Sequence, residues 1–162
     1  MTKQCGEAAA ETSSAPWHDG AVRDGSLSHA IFRLARAHRA YAAAMLRDLS
    51  LHPGQELLLM RLLERDGQTQ SELLESVSLD HSTVSKSLRR MQEAGLLTRE
   101  PAEHDRRMVT VWLTDRGRAM REPIDAMWSS LEQTSTRDLD VEAIAPFIAM
   151  AHTIEKSITG RD

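Results

Sequence analysis

The sequence predicts a mainly α-helical fold carrying one small antiparallel β-hairpin. Two patterns predict it. Apolar residues recur at helical spacing through most of the chain between Leu27 and Ile158. Period-two alternation marks Met108 to Leu113, where Val109, Val111 and Leu113 share a face, with Leu96-Leu97-Thr98-Arg99 as the partner run. At 162 residues the chain is one domain of ordinary size, large enough to bury a real core.

Residues 1–25 are rich in Ala, Ser, Thr, Gly and charge, which predicts a flexible extension with a local contact at Trp17. Ser26 or Ser28 can cap a long helix reaching about Leu49. Its apolar stripe is Ile31, Leu34, Tyr41, Met45 and Leu49, more than a lone helix can satisfy. His38 lies on the same stripe. Leu51-His52-Pro53-Gly54 breaks the chain, and Pro53 suits the first turn of the next helix. That helix, Gln55 to Glu64, is apolar nearly all round and therefore buried.

Thr69 and Glu72 fit a capping box at the start of a short helix ending at Ser76. Val77-Ser78-Leu79 makes the turn. Asp80 can cap a second helix that runs to about Glu93 and stops at Gly95. Val84, Leu88 and Met91 form its inner stripe. Ser82, Thr83 and Ser85 stand at its start, and Lys86, Arg89 and Arg90 follow on the outer side. Short hydroxyl residues can approach base edges while longer cations behind them reach phosphates. The hairpin comes next, with the polar tip Pro101-Ala102-Glu103-His104-Asp105-Arg106-Arg107. Two helices followed at once by a hairpin with a basic tip make a winged helix, whose wing is suited to put an arginine into a minor groove.

Beyond the hairpin, Thr114 caps a long helix from Asp115, with Met120, Ile124, Met127, Trp128 and Leu131 on its apolar side and a bend expected near Pro123. Gln133 to Arg137 reads as a polar break. A last helix, Val141 to Ile158, turns Ile144, Phe147, Ile148, Ala151, Ile154 and Ile158 inward.

Gly95-Leu96-Leu97, the Asp105-Arg106-Arg107 tip, Leu113-Thr114 with Gly117, and the run Ser82-Thr83-Val84-Ser85 together resemble the MarR family of bacterial transcription regulators. The resemblance runs from about Leu27 to Ile158. It implies a recognition helix, 80–94, in the major groove and a wing, 98–113, in the minor groove, where Arg107 enters, Asp105 orients it and Arg106 faces phosphate or solvent. It also implies an intertwined homodimer, with 26–50 and 115–160 as the dimerisation region and 51–114 as the DNA-binding lobe. Independently, the terminal helices carry more apolar surface than one such module covers. A two-fold dimer presents two reading helices about 34 Å apart and asks for a near-palindromic double-stranded site.

Net charge is −4, which argues against a protein that coats nucleic acid indiscriminately. Distribution matters more: Asp80–Arg99 holds four basic residues against two acidic, while Ala119–Asp162 holds four against eight. No apolar run is long enough to span a membrane, and no signal-peptide core follows the first residues, so a cytoplasmic location is expected. The single cysteine, Cys5, permits no internal disulfide. Seven scattered histidines give no metal-ligand spacing, and neither a catalytic constellation nor a cofactor motif is present.

Relatives of the resembling family hold a small effector between the dimer helices and the DNA-binding lobe. The positions here that could line such a site are His38, Tyr41, Met60 and Trp128, with Arg61 as partner for an anion; core packing is the other reading of each. The expected effector is a small aromatic or anionic molecule. The alternative function is a winged-helix protein-interaction module without DNA binding, for which aligned cations at Lys86, Arg89, Arg90 and Arg107 have no purpose.

Overall fold

The computed structural model describes residues 26–77, 79–101 and 108–160. The chain divides into two compact units, residues 1–36 and 37–162. Helix α1 (Leu27–Asp48) opens in the first. Its start is capped by Ser26, whose Oγ accepts the His29 N–H at 3.2 Å. The first unit's apolar residues Leu27, Ile31, Phe32 and Leu34 are exposed.

In the second unit α1 ends where Ser50 takes a positive φ of 58° and the Leu51 N–H reaches back to the Leu46 carbonyl at 2.8 Å. There follow α2 (Gln55–Glu64), β1 (Gln68–Thr69), α3 (Gln70–Ser76), α4 (His81–Glu93), β2 (Leu97–Pro101), β3 (Val109–Leu113), α5 (Asp115–Arg118), α6 (Arg121–Thr136) and α7 (Val141–Thr159). The three strands form an antiparallel sheet in the order β1-β3-β2, with Gln68 opposite Val111 and Leu97 opposite Leu113.

One core joins these elements. Leu58, Leu59 and Leu62 of α2, Leu73 of α3, Val84, Leu88 and Met91 of α4, Leu97, Val111 and Leu113 of the sheet, and Ile124 and Met127 of α6 are all buried in it. Each such side chain contributes about 1.5–3 kcal/mol of burial. The pattern of α2 and α4 therefore fixes how the sheet and α6 seat on them.

Four expectations are corrected. Pro53 sits before the Gly54 N-cap and so outside α2. β1 was not expected, because two residues carry no alternation to read. The long helix after the hairpin is two: α5 stops at Arg118 and α6 starts at Arg121 with Pro123 in its first turn, where a missing N–H costs nothing. The break therefore precedes the proline. It is followed by an α6 that continues to Thr136, through most of the segment read as a polar break. The fourth concerns α7. None of its residues is buried: Phe147 is 48%, Ile148 47% and Ile158 75% exposed, so among the described residues the face that periodicity turned inward is covered only in part, at Ile144 and Ile154.

Candidate nucleic-acid interface

The candidate interface is built on α4. Asp80 is its N-cap: one carboxylate oxygen accepts the Thr83 N–H at 3.0 Å and the Ser82 hydroxyl at 2.7 Å, and the other accepts the Thr83 hydroxyl at 2.5 Å. The Thr83 and Ser82 hydroxyls, with the Thr83 N–H, hold this carboxyl well below the usual range. Val84, Ser87, Leu88 and Met91 are buried, which fixes the helix's rotation. Ser82, Lys86, Arg89 and Arg90 consequently face out, with Thr83 and Ser85 half-buried beside them. The Ser82 and Thr83 hydroxyl protons, which the sequence leaves available to base edges, are engaged by Asp80. Arg89 lies 3.8 Å from Glu93, with both side chains about two-thirds exposed, a pairing worth about 0–1 kcal/mol and easily exchanged for another anion.

The helix ends in a Schellman motif. Gly95, at φ 71°, donates its N–H to the Gln92 carbonyl, and Leu96 donates to Met91, both at 2.9 Å. The chain then turns directly into β2, and Arg99 Nε donates to Gln92 Oε1 at 2.7 Å, tying the strand to the helix end. This explains the spacing between Gly95-Leu96-Leu97 and Leu113-Thr114…Gly117. Thr114 donates its N–H to the Leu96 carbonyl at 3.1 Å and its hydroxyl to the Gly95 carbonyl at 2.7 Å, and accepts the Gly117 N–H at 3.1 Å. A Cβ at Gly117 would collide with the Leu96 carbonyl oxygen.

Asp66, which sequence reasoning missed, roots the wing. It stands opposite Leu113 in the register that pairs Gln68 with Val111, two residues before the start of β1. There its side chain continues the ladder by accepting the Leu113 N–H at 2.9 Å. Its other oxygen accepts from Arg118 of α5, whose NH2 donates to the Leu113 carbonyl at 2.9 Å. The available signal was an acid beside Gly67 at a helix end, which points to a turn and not to a partner 47 residues away. The wing-tip residues Asp105, Arg106 and Arg107 lie outside the described residues, as do Cys5 and Trp17.

The five positions considered for an effector are placed differently from one another. His38 and Tyr41 are exposed on α1, and the Tyr41 hydroxyl is 3.4 Å from Thr134 Oγ1 of α6. Met60 and Trp128 pack against the core. Arg61 is exposed and pairs with Glu64 at 2.9 Å. No hydrogen bond or ion pair joins any two of the five among the described residues. Trp128 Nε1 is buried with no hydrogen-bond partner there. Among the described residues no group of His, Cys, Asp and Glu could hold a metal ion, and no helix is long and apolar enough to cross a membrane.

A model of the MarR family matches residues 49–108, from the end of α1 to the foot of β3. Over this segment the chain is similar to the MarR family. The HTH-type transcriptional regulator TtmR of Methylorubrum extorquens (strain PA1) is 30% identical over 105 residues, covering 64% of this chain and 53% of that protein. The match thus spans about half the length of that relative. A crystal structure of MarR is 25% identical, with a TM-score of 0.69 over 83% of this chain and 98% of that one. The S. aureus MepR–DNA complex, at 22% identity, has a TM-score of 0.74 over 83% of this chain and 99% of that one, which is a likeness of fold. These MarR structures share the winged-helix architecture with the helical segments that flank it here.

Proposed function

We propose that this chain is a homodimeric, sequence-specific double-stranded DNA-binding transcription regulator of the MarR family, acting as a repressor in the cytoplasm. In this reading α4 enters the major groove and the wing follows the adjacent minor groove, with Arg107 inserted, Asp105 orienting it and Arg106 toward phosphate. One observation carries the reading: the buried stripe Val84, Leu88 and Met91 turns Lys86, Arg89 and Arg90 outward together on the exposed side of α4. The exposed α7 face supports two copies, and two copies ask for a near-palindromic operator. Bound across a promoter, such a dimer excludes polymerase.

The test is binding to the DNA flanking the protein's own gene, by footprinting and by anisotropy across a salt series. Lys86→Ala, Arg90→Ala and Arg107→Ala should each weaken binding on all sequences and lower the salt slope by about one per lost phosphate contact. Ser85→Ala should instead change which sequence is preferred. Unchanged affinity and slope for all three cation variants would leave the protein-interaction alternative standing.

We further propose that a small aromatic or anionic effector releases the DNA, bound near His38, Tyr41, Met60, Arg61 and Trp128. The support is Trp128 Nε1, a buried donor without an acceptor among the described residues, which costs about 1–3 kcal/mol until something accepts from it. Such an effector acts only by binding one spacing of the two reading heads better than another.

A further inference from the structure

Helix α1 and the segment that leads from α6 into α7 carry opposite charge, and neither satisfies it among the described residues. α1 holds Arg33, Arg36, Arg39 and Arg47 against a single acid, Asp48, at its last position. Phe32, Arg36 and Arg39 fall at i, i+4 and i+7, so they share one helix face, with Arg33 beside them. All four are exposed, and Phe32, at 58%, is an aromatic ring standing among arginines. The segment from this connection into the first turn of α7 reads Asp138-Leu139-Asp140-Val141-Glu142, acid and apolar residues in alternation. Every one of its side chains is exposed, Val141 to 83%. Asp140 is the N-cap of α7, yet its side chain caps nothing. Among the described residues neither these three arginines nor these three acids form an ion pair.

We propose that the 138–142 connection of one copy docks on the Phe32-Arg33-Arg36-Arg39 face of a second copy, reciprocally, and that this charge match fixes the pairing of the homodimer. The inference rests on the dimeric reading above. Its physical content is a division of labour. The exposed face of α7 drives association without direction, because apolar burial is nondirectional. Three cations meeting three acids select one register and disfavour pairings that set like charges together. Apolar residues on both sides, Phe32 against Leu139 and Val141, exclude water from the contact and strengthen it. Two-fold symmetry makes the contact occur twice.

The experiment uses the full chain in three forms: wild type, the triple variant Arg33→Glu/Arg36→Glu/Arg39→Glu, and the triple variant Asp138→Lys/Asp140→Lys/Glu142→Lys. Circular dichroism checks their folds, and sedimentation at low and high salt reads their association. Wild type should dimerise, with its dissociation constant rising several-fold with salt. Each variant should need at least tenfold higher concentration to pair, because each sets like charges together. Mixing the two should restore dimers near the wild-type constant, as a mixed species resolvable by native mass spectrometry. A dimeric wild type whose variants pair equally well overturns the inference and leaves the dimer intact. Weakened variants that mixing fails to rescue overturn it also, since the charges then meet something other than each other. A monomeric wild type overturns the dimeric reading along with it.

Discussion

Gly117 shows how much of this fold is decided by single atoms. Its Cα lies so close to the Leu96 carbonyl that a Cβ has no room, and the obstacle is backbone, which cannot swing aside. Gly117→Ala should therefore lower stability by about 1–3 kcal/mol, seen as a reduced urea midpoint with unchanged m-value. An unchanged midpoint would mean that the join of α5 to the α4–β2 turn is loose. The residue was legible in the sequence as part of a motif, but its reason was not, because the atom it avoids lies 21 positions earlier. Asp66 was illegible for the same cause: its hydrogen bonds to the Leu113 N–H and to Arg118 are made in space and leave no local pattern. Lys86, Arg89 and Arg90 were legible because their exposure follows from 3.6-residue periodicity on α4 alone.

At the scale of elements, two helix starts lean on glutamates with opposite titration. In α3 the Thr69 N–H and hydroxyl, with Arg65, lower Glu72 from 4.5 to about 2. In α2, burial pushes Glu56 up, although the carboxylate accepts the Gly54 N–H at 2.7 Å. The signs differ accordingly. Glu72 contributes stability present above its unfolded value of 4.5 and lost as pH falls toward about 2. Glu56 disfavours the folded state as pH rises above 4.5 through its raised folded value. Glu72→Gln should thus destabilise at pH 7 and flatten the acid limb of a thermal-melt series. Glu56→Gln should stabilise at pH 7, with its advantage gone well below pH 4. Parallel shifts in both variants would contradict these assignments. Element boundaries were legible where a cap carried them, as at Thr69, Asp80 and Thr114. The α5–α6 break was legible in part: Pro123 has no N–H for the Ala119 carbonyl and its ring crowds that oxygen, which interrupts the helix one turn before the proline.

At the scale of the whole molecule, the apolar stripe of α7 is legible in the sequence, as is its excess over what one module covers, and no α7 residue is buried. Periodicity reports that a face must be covered, and it is blind to which copy does the covering. Static light scattering at micromolar concentration should give twice the chain mass. Ile148→Lys, at the middle of the exposed stripe, should shift the protein toward monomer while the helical circular-dichroism signal of the lobe persists. Full dimer in that variant would place the interface elsewhere.

The bonds at Asp80 have a consequence for what α4 can read. An ionised carboxylate only accepts, so the Ser82 and Thr83 hydroxyls spend their single protons on it. Each oxygen is left with lone-pair capacity and nothing to give. Phosphate, itself all acceptor, is then a poor neighbour for these two hydroxyls. In a major groove its matches are the exocyclic amines, adenine N6 and cytosine N4. The cap that starts the helix thereby assigns its tip a polarity: in the proposed major-groove placement the two hydroxyls would accept hydrogens from DNA, and the arginines behind them would supply them.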